Sequence, residues 1–127
     1  MKSNVVNWFE IYVDDMARAQ KFYEAVLNLK MQELPMGESG MQMVAFPWAE
    51  DMAAPNASGS LVKMEGIKAG GNSTMVYFQC DDCSLEQSRV EAAGGKVCQA
   101  KFSIGEHGFC AVCMDTEGNA FGLHSMI

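Results

Sequence analysis

Two cysteine pairs stand at the spacing that commonly holds zinc, Cys80-x-x-Cys83 and Cys110-x-x-Cys113. Four thiolates converge on one tetrahedral ion when each pair lies on a turn. Here Cys110 and Cys113 fall within one apolar run, residues 109–114, that reads as a strand, and a separation of three puts them on opposite faces. Cys80 and Cys83 flank the start of a helix, where a thiolate would be stabilised for redox chemistry. Buried apolar thiols are the plainer reading of all four. Of the two histidines, His107 lies in the loop SIGEHG, whose glycines permit close backbone approach to a ligand. It either covers a bound molecule or is an inert loop residue. Residues 66–71 (GIKAGG) lack the strand-to-helix setting that a phosphate-binding loop needs.

The elements that must position these groups follow from periodicity. Residues 7–13 alternate, with Trp8, Glu10 and Tyr12 on one face and Phe9, Ile11 and Val13 on the other. Asp14 or Asp15 caps a following helix whose apolar stripe is Met16, Ala19, Phe22, Tyr23, Val26 and Leu27, and Asn28 stops it. Strands are expected at 29–34, 41–46 and 60–64. A turn lies at 37–40, and a long proline-containing loop at 47–59 carries Trp48. A glycine-rich linker, 65–72, leads to a second round. This has a strand at 74–80, a helix at 83–93 behind Asp81-Asp82, strands at 96–100, 109–114 and 120–124, and the turn DTEGN between the last two.

The second round repeats the first. Displaced by 67 residues, Asp14-Asp15 falls on Asp81-Asp82, Gln20 on Gln87 and Glu24 on Glu91. Neither unit can bury its sheet alone, so the two must pack together. The expected architecture is α+β: tandem βαβββ modules, residues 1–68 and 73–127, forming a curved mixed sheet around a cleft within one domain. The 127 residues are 49% hydrophobic and 20% charged, which is globular composition. A net charge of −7 argues against a nucleic-acid partner. No apolar run is long enough for a membrane span, and MKSNVVNWFE has no apolar core of a secretion signal. Five cysteines, an odd number, read as reduced thiols of a cytoplasmic protein. Of eleven methionines, Met31, Met36, Met41, Met43, Met52 and Met64 cluster in the first module, as flexible core filler or an adaptable pocket wall.

The segments WFEIYVDDMARAQKFYEAVL, TMVYFQCDD, EAAGGKV and IGEHGF…DTEGNAFGLHS together resemble the vicinal oxygen chelate superfamily of glyoxalases, bleomycin-resistance proteins and extradiol dioxygenases. The resemblance runs over nearly the whole chain and implies a homodimer. In that family a divalent metal commonly sits in the cleft, held from the first and last strands of each module. Those positions fall on Trp8, Met75, Gly122 and, to within a residue, Lys63. Indole, thioether, glycine and ammonium are not a ligand set for zinc, nickel or iron. The resemblance thus implies a protein without the family's metal, and no other cofactor is expected.

Two places along the same strands lie Glu10, Tyr77 and His124, which with Lys63 would bring ionisable groups into the cleft. They either carry acid–base chemistry, touch a ligand, or merely pair with one another. Glu10 with His107 and His124 could also make a non-standard metal site. Two functions follow. One is a metal-free binding protein that holds a small, partly apolar molecule with Trp8, Tyr12, Trp48, Met75 and Tyr77. The other is a glyoxalase-type lyase or isomerase with Glu10 or His124 as base.

Overall fold

The computed structural model describes residues 4–37, 40–51, 54–71 and 73–127. Strand β1 (Trp8–Tyr12) leads into helix α1 (Met16–Leu27). Asp15, with extended backbone, caps α1 by accepting from Arg18 N at 3.0 Å, and Asn28 ends it in the left-handed region. Asp14 does not cap α1; its carboxylate accepts from Ala69 N at 3.1 Å and ties down the linker. Strands β2 (Gln32–Leu34), β3 (Gln42–Ala45) and β4 (Ser58–Lys63) complete the first module. The second contains β5 (Tyr77–Gln79), α2 (Cys83–Val90), β6 (Lys96–Ser103), a 3₁₀ turn (Gly105–His107), β7 (Phe109–Met114) and β8 (Ala120–Ser125).

Several boundaries differ from the sequence reading. β5 has three paired residues rather than seven, because residues 74–76 run past the ladder and contribute one carbonyl, Val76 O, to Gly122 N. α2 stops at Val90, and the chain turns through Gly94. Gly95 follows so close to Met114 O and the Phe22 ring that a Cβ there would collide with both. β6 continues three residues beyond Ala100 because register shifts between Val97 and Phe102 absorb its irregular alternation. β4 starts at Ser58, two residues early, which shortens the preceding loop. Met52 and parts of the 37–40 turn, the 47–59 loop and the linker lie outside the described residues.

The strands form two four-stranded mixed sheets, ordered β1-β4-β3-β2 and β5-β8-β7-β6. In each, the first strand pairs in parallel with the last, and the others are antiparallel. The curved sheet is therefore interrupted: β1 and β5 each end a separate ladder.

Side chains join the modules. Tyr23 packs against Phe22, Phe46, Phe78 and Phe121 with ring centroids 5.0–5.7 Å apart, so rings from both halves make one core. Above it, the turn between β7 and β8 grips the start of α1. Glu117, buried, accepts from Asp14 N, Asp15 N and the Arg18 guanidinium at 2.7–3.0 Å. Asp115 accepts from Tyr23 OH at 2.6 Å, and Asn119 donates to Tyr12 O while accepting from Gly70 N. Among the described residues no helix is long and apolar enough to cross a membrane.

Candidate functional site

The two modules can be aligned by equivalent bonds. Val13 N donates to Val62 O in the first and Cys80 N to His124 O in the second. Val62 thus corresponds to His124, and two residues back Ser60 corresponds to Gly122. The pairings agree, since Glu10 faces Ser60 and Tyr77 faces Gly122. This corrects the placement of Lys63, which is exposed at the end of β4 opposite Gln42.

On this alignment the positions at which the resemblance places metal ligands hold Trp8, Ser60, Met75 and Gly122. They do not fit a divalent metal, for want of imidazole, carboxylate or thiolate. The Tyr77 ring also packs directly over Gly122, where a side chain at that position would stand. Ser60 is fully buried, and its hydroxyl has no partner among the described residues.

On the first module's face, Glu10 accepts from Trp8 Nε1 at 3.2 Å and from Tyr12 OH at 2.9 Å. That bond, with partial burial and the carboxylate's charge, raises the Tyr12 phenol above its ordinary value. All three side chains are committed to one another, and none lines the cavity described next. Trp48 is exposed on the β3–β4 loop and does not line it either.

A cavity of about 970 Å³ opens on the second module's face. Its apolar walls are Phe9, Phe78, Phe102, Ile104, Met75 and Tyr77, with Val6 and Cys110 beside them. The polar groups are few: Asn4, Asn56, Thr74, Gln79 and His124, besides the Tyr77 hydroxyl. One register line carries three of the wall residues, since Gln79 pairs with His124 and His124 with Cys110. Asn56 reaches across from the β3–β4 loop and donates to Gln79 Oε1 at 2.7 Å. Asn56 itself sits at φ 73, a backbone region that asparagine tolerates better than most residues.

His124 Nε2 lies 2.7 Å from the backbone oxygen of His107. A carbonyl only accepts, so Nε2 carries the proton and in the neutral ring Nδ1 is an acceptor. His107 thus takes part through its main chain, while its imidazole is exposed on the 3₁₀ turn. The two imidazoles do not converge, and Glu10 is engaged elsewhere. Among the described residues no group of three His, Cys, Asp or Glu side chains gathers to hold a metal.

The cysteines fall as the strand parity requires. Cys110 faces the cavity and Cys113 the core, opposite Phe121. Burial, and after it the Glu86 carboxylate, pushes the Cys80 thiol up to about 12, which leaves no reactive thiolate near neutral pH. Burial likewise holds Cys113 at about 11.

Of the sequence candidates, the cavity brings together Met75, Tyr77 and His124, with Gly122 beneath the Tyr77 ring. Phe102, Ile104, Asn56 and Gln79 were not singled out. Gln79 alone carries a signal in the sequence, because alternation along the strand at 74–80 puts it on the same face as Tyr77. Gly122→Ala is expected to force the Tyr77 ring off the sheet. This would change affinity for a cavity ligand about tenfold at a stability cost below about 1 kcal/mol, because an exposed ring can swing away. Parallel titration of an apolar probe and denaturant unfolding check both parts.

Comparison with known proteins gives a consistent picture. A family model described as "Bleomycin resistance protein-like N-terminal" matches residues 6–45. A protein of Mycobacterium bovis and Mycobacterium tuberculosis, provisionally named as a glyoxylase, CFP32, is 29% identical over 120 residues. The match covers 92% of this chain, which spans only 44% of the length of those curated relatives. Glyoxalase I from Zea mays superposes with a TM-score of 0.73 at 19% identity, over 93% of this chain and 44% of that one. The antibiotic-binding protein TnmS3 from Streptomyces sp. CB03234 superposes with a TM-score of 0.66 at 21% identity, over 100% and 99% of the two chains.

Proposed function

We propose that this chain, which has the fold of glyoxalase I and a bleomycin-resistance-protein-like stretch at residues 6–45, binds a small, partly apolar molecule without the metal of the vicinal oxygen chelate superfamily it resembles. The cavity on the second module's face is the observation that carries this reading. Aromatic and aliphatic side chains line it, and a short polar line crosses it, the usual make-up of a small-molecule site. The donor chemistry of Trp8, Ser60, Met75 and Gly122 supports the metal-free part. The proposal includes a cytoplasmic location, where free cysteines stay reduced, and, by resemblance, a homodimer. Acid–base chemistry through Glu10 and His124 together is less well supported, since only His124 lines the cavity.

The test uses N-phenyl-1-naphthylamine, an uncharged probe whose emission rises in apolar surroundings. Saturable binding at one site per chain, weakened at least tenfold in Phe102→Ala, is the expected result. Unsaturable binding, or a variant that binds as well as the parent, would overturn the reading. Elemental analysis of protein purified without added metal or chelator tests the other half. A stoichiometric transition metal that disappears in His124→Ala would sink it.

A further inference from the structure

Resting on that binding reading, we infer that the cavity selects an uncharged aromatic molecule bearing an amide or lactam edge, with N–H toward His124 and C=O toward Gln79. The inference starts from what is missing from the walls. Among the described residues, no Asp, Glu, Lys or Arg side chain lines the cavity. An ionised ligand buried there would lose hydration without gaining a counter-charge. The net charge of −7 disfavours an anion further.

Two of the polar groups that remain, His124 and Gln79, are fixed in role. The backbone oxygen of His107 holds the proton on His124 Nε2, so Nδ1 presents a lone pair and takes a hydrogen bond from the ligand. Asn56 occupies Gln79 Oε1, which leaves the Gln79 Nε2 hydrogens to donate. Gln79 and His124 stand directly opposite in the β5–β8 ladder and on the same face, so this acceptor and donor are neighbours. A cis-amide edge, with its N–H and C=O side by side, is the complementary shape. The rings of Phe9, Phe78 and Phe102 and the side chains of Met75 and Ile104 supply the apolar bed for the rest of the molecule. Each contact to the edge rests on a second one: His124 on the 3₁₀ turn, Gln79 on the β3–β4 loop.

Three tricyclic probes of nearly equal shape test this at pH 8, where an ordinary histidine is neutral. They are phenanthridin-6(5H)-one, phenanthrene and phenanthrene-9-carboxylate, titrated by their own fluorescence. The lactam is expected to bind at least tenfold more tightly than either of the others. His124→Phe should abolish that preference, read as the ratio of lactam to phenanthrene affinity measured on the same variant. Gln79→Leu should reduce the preference in the same way.

Carboxylate binding as tight as lactam binding would overturn the inference, as would a preference that survives His124→Phe. If phenanthrene binds and the lactam shows no advantage, the selectivity is wrong while the apolar cavity reading stands. If none of the three binds, that reading fails and takes the selectivity with it.

Discussion

Replacing Glu117 by Ala is expected to remove about 4 kcal/mol of folding stability, from the loss of a single turn residue. The substitution strips the hydrogen-bond partner from Asp14 N and Asp15 N at the start of α1. Unsatisfied groups of this kind cost roughly 1–3 kcal/mol each. It also releases the Arg18 guanidinium and the Thr116 hydroxyl. Arg18 is half exposed and can turn to water, so Arg18→Met should cost much less.

The same carboxylate sets an acid limit. Burial pushes its pKa up, but hydrogen bonds from Arg18, the Asp15 and Asp14 backbone and Thr116 outweigh that, leaving it lowered from 4.5 to about 2. A folded pKa below the unfolded one means the unfolded chain takes up the proton first. The stabilisation is therefore present above about pH 4.5 and is lost as pH falls through about 2. A shift of that size corresponds to about 3 kcal/mol. Urea unfolding at pH 7 and pH 3 should show the parent losing stability on acidification while Glu117→Ala loses less. Equal loss in both, or equal cost from Arg18→Met and Glu117→Ala, would remove Glu117 from this role.

Tyr23→Ala should be about as damaging, costing about 3–5 kcal/mol in the range of buried aromatic truncations. The ring is fully buried among four others, and its hydroxyl satisfies the buried Asp115. Tyr23→Phe separates the two contributions, because it keeps the ring packing and removes only the donor. It should cost about 1–3 kcal/mol, the range for depriving a buried carboxylate of one partner. Asp115 retains Glu117 N, Asn119 N and Asn119 Nδ2. Denaturant midpoints of the two variants, with their slopes, give the partition. A Tyr23→Phe protein as unstable as Tyr23→Ala would mean the ring contacts contribute little.

The parts of the molecule that were readable from the chain are those whose cause is local. α1 was legible because its cap, stripe and stop all lie within residues 15–28. β7 kept its boundaries because a continuous apolar run needs no partner to be recognised. Tyr23 looked like any member of an apolar stripe, since its partner Asp115 is 92 positions away. Glu117 looked like an exposed turn residue, and only the landing of that turn on another module's helix buries it. The cavity was half hidden for a similar reason. The strand was expected to end at Ala100, which left Phe102 outside it. Register shifts carry the strand onward, which no alternation pattern announces. The misplacement of Lys63 came from the same source: a period of two does not say where pairing begins, and the Val13–Val62 and Cys80–His124 bonds do.

The two modules also reach toward each other by corresponding routes. Asn119, just before β8, donates to Tyr12 of the first module, and Asn56, just before β4, donates to Gln79 of the second. Tyr12 and Gln79 are themselves equivalent, 67 positions apart. One of these clasps is a five-residue turn sunk in the interior; the other is a longer, exposed loop at the mouth of the cavity. The duplicated plan has thus divided its labour. Substitutions in the buried clasp put the whole fold at risk, whereas those at Asn56 bear on the cavity alone. Ligand choice can therefore be tuned at Asn56 and Ala57 while the buried clasp and the core stay as they are.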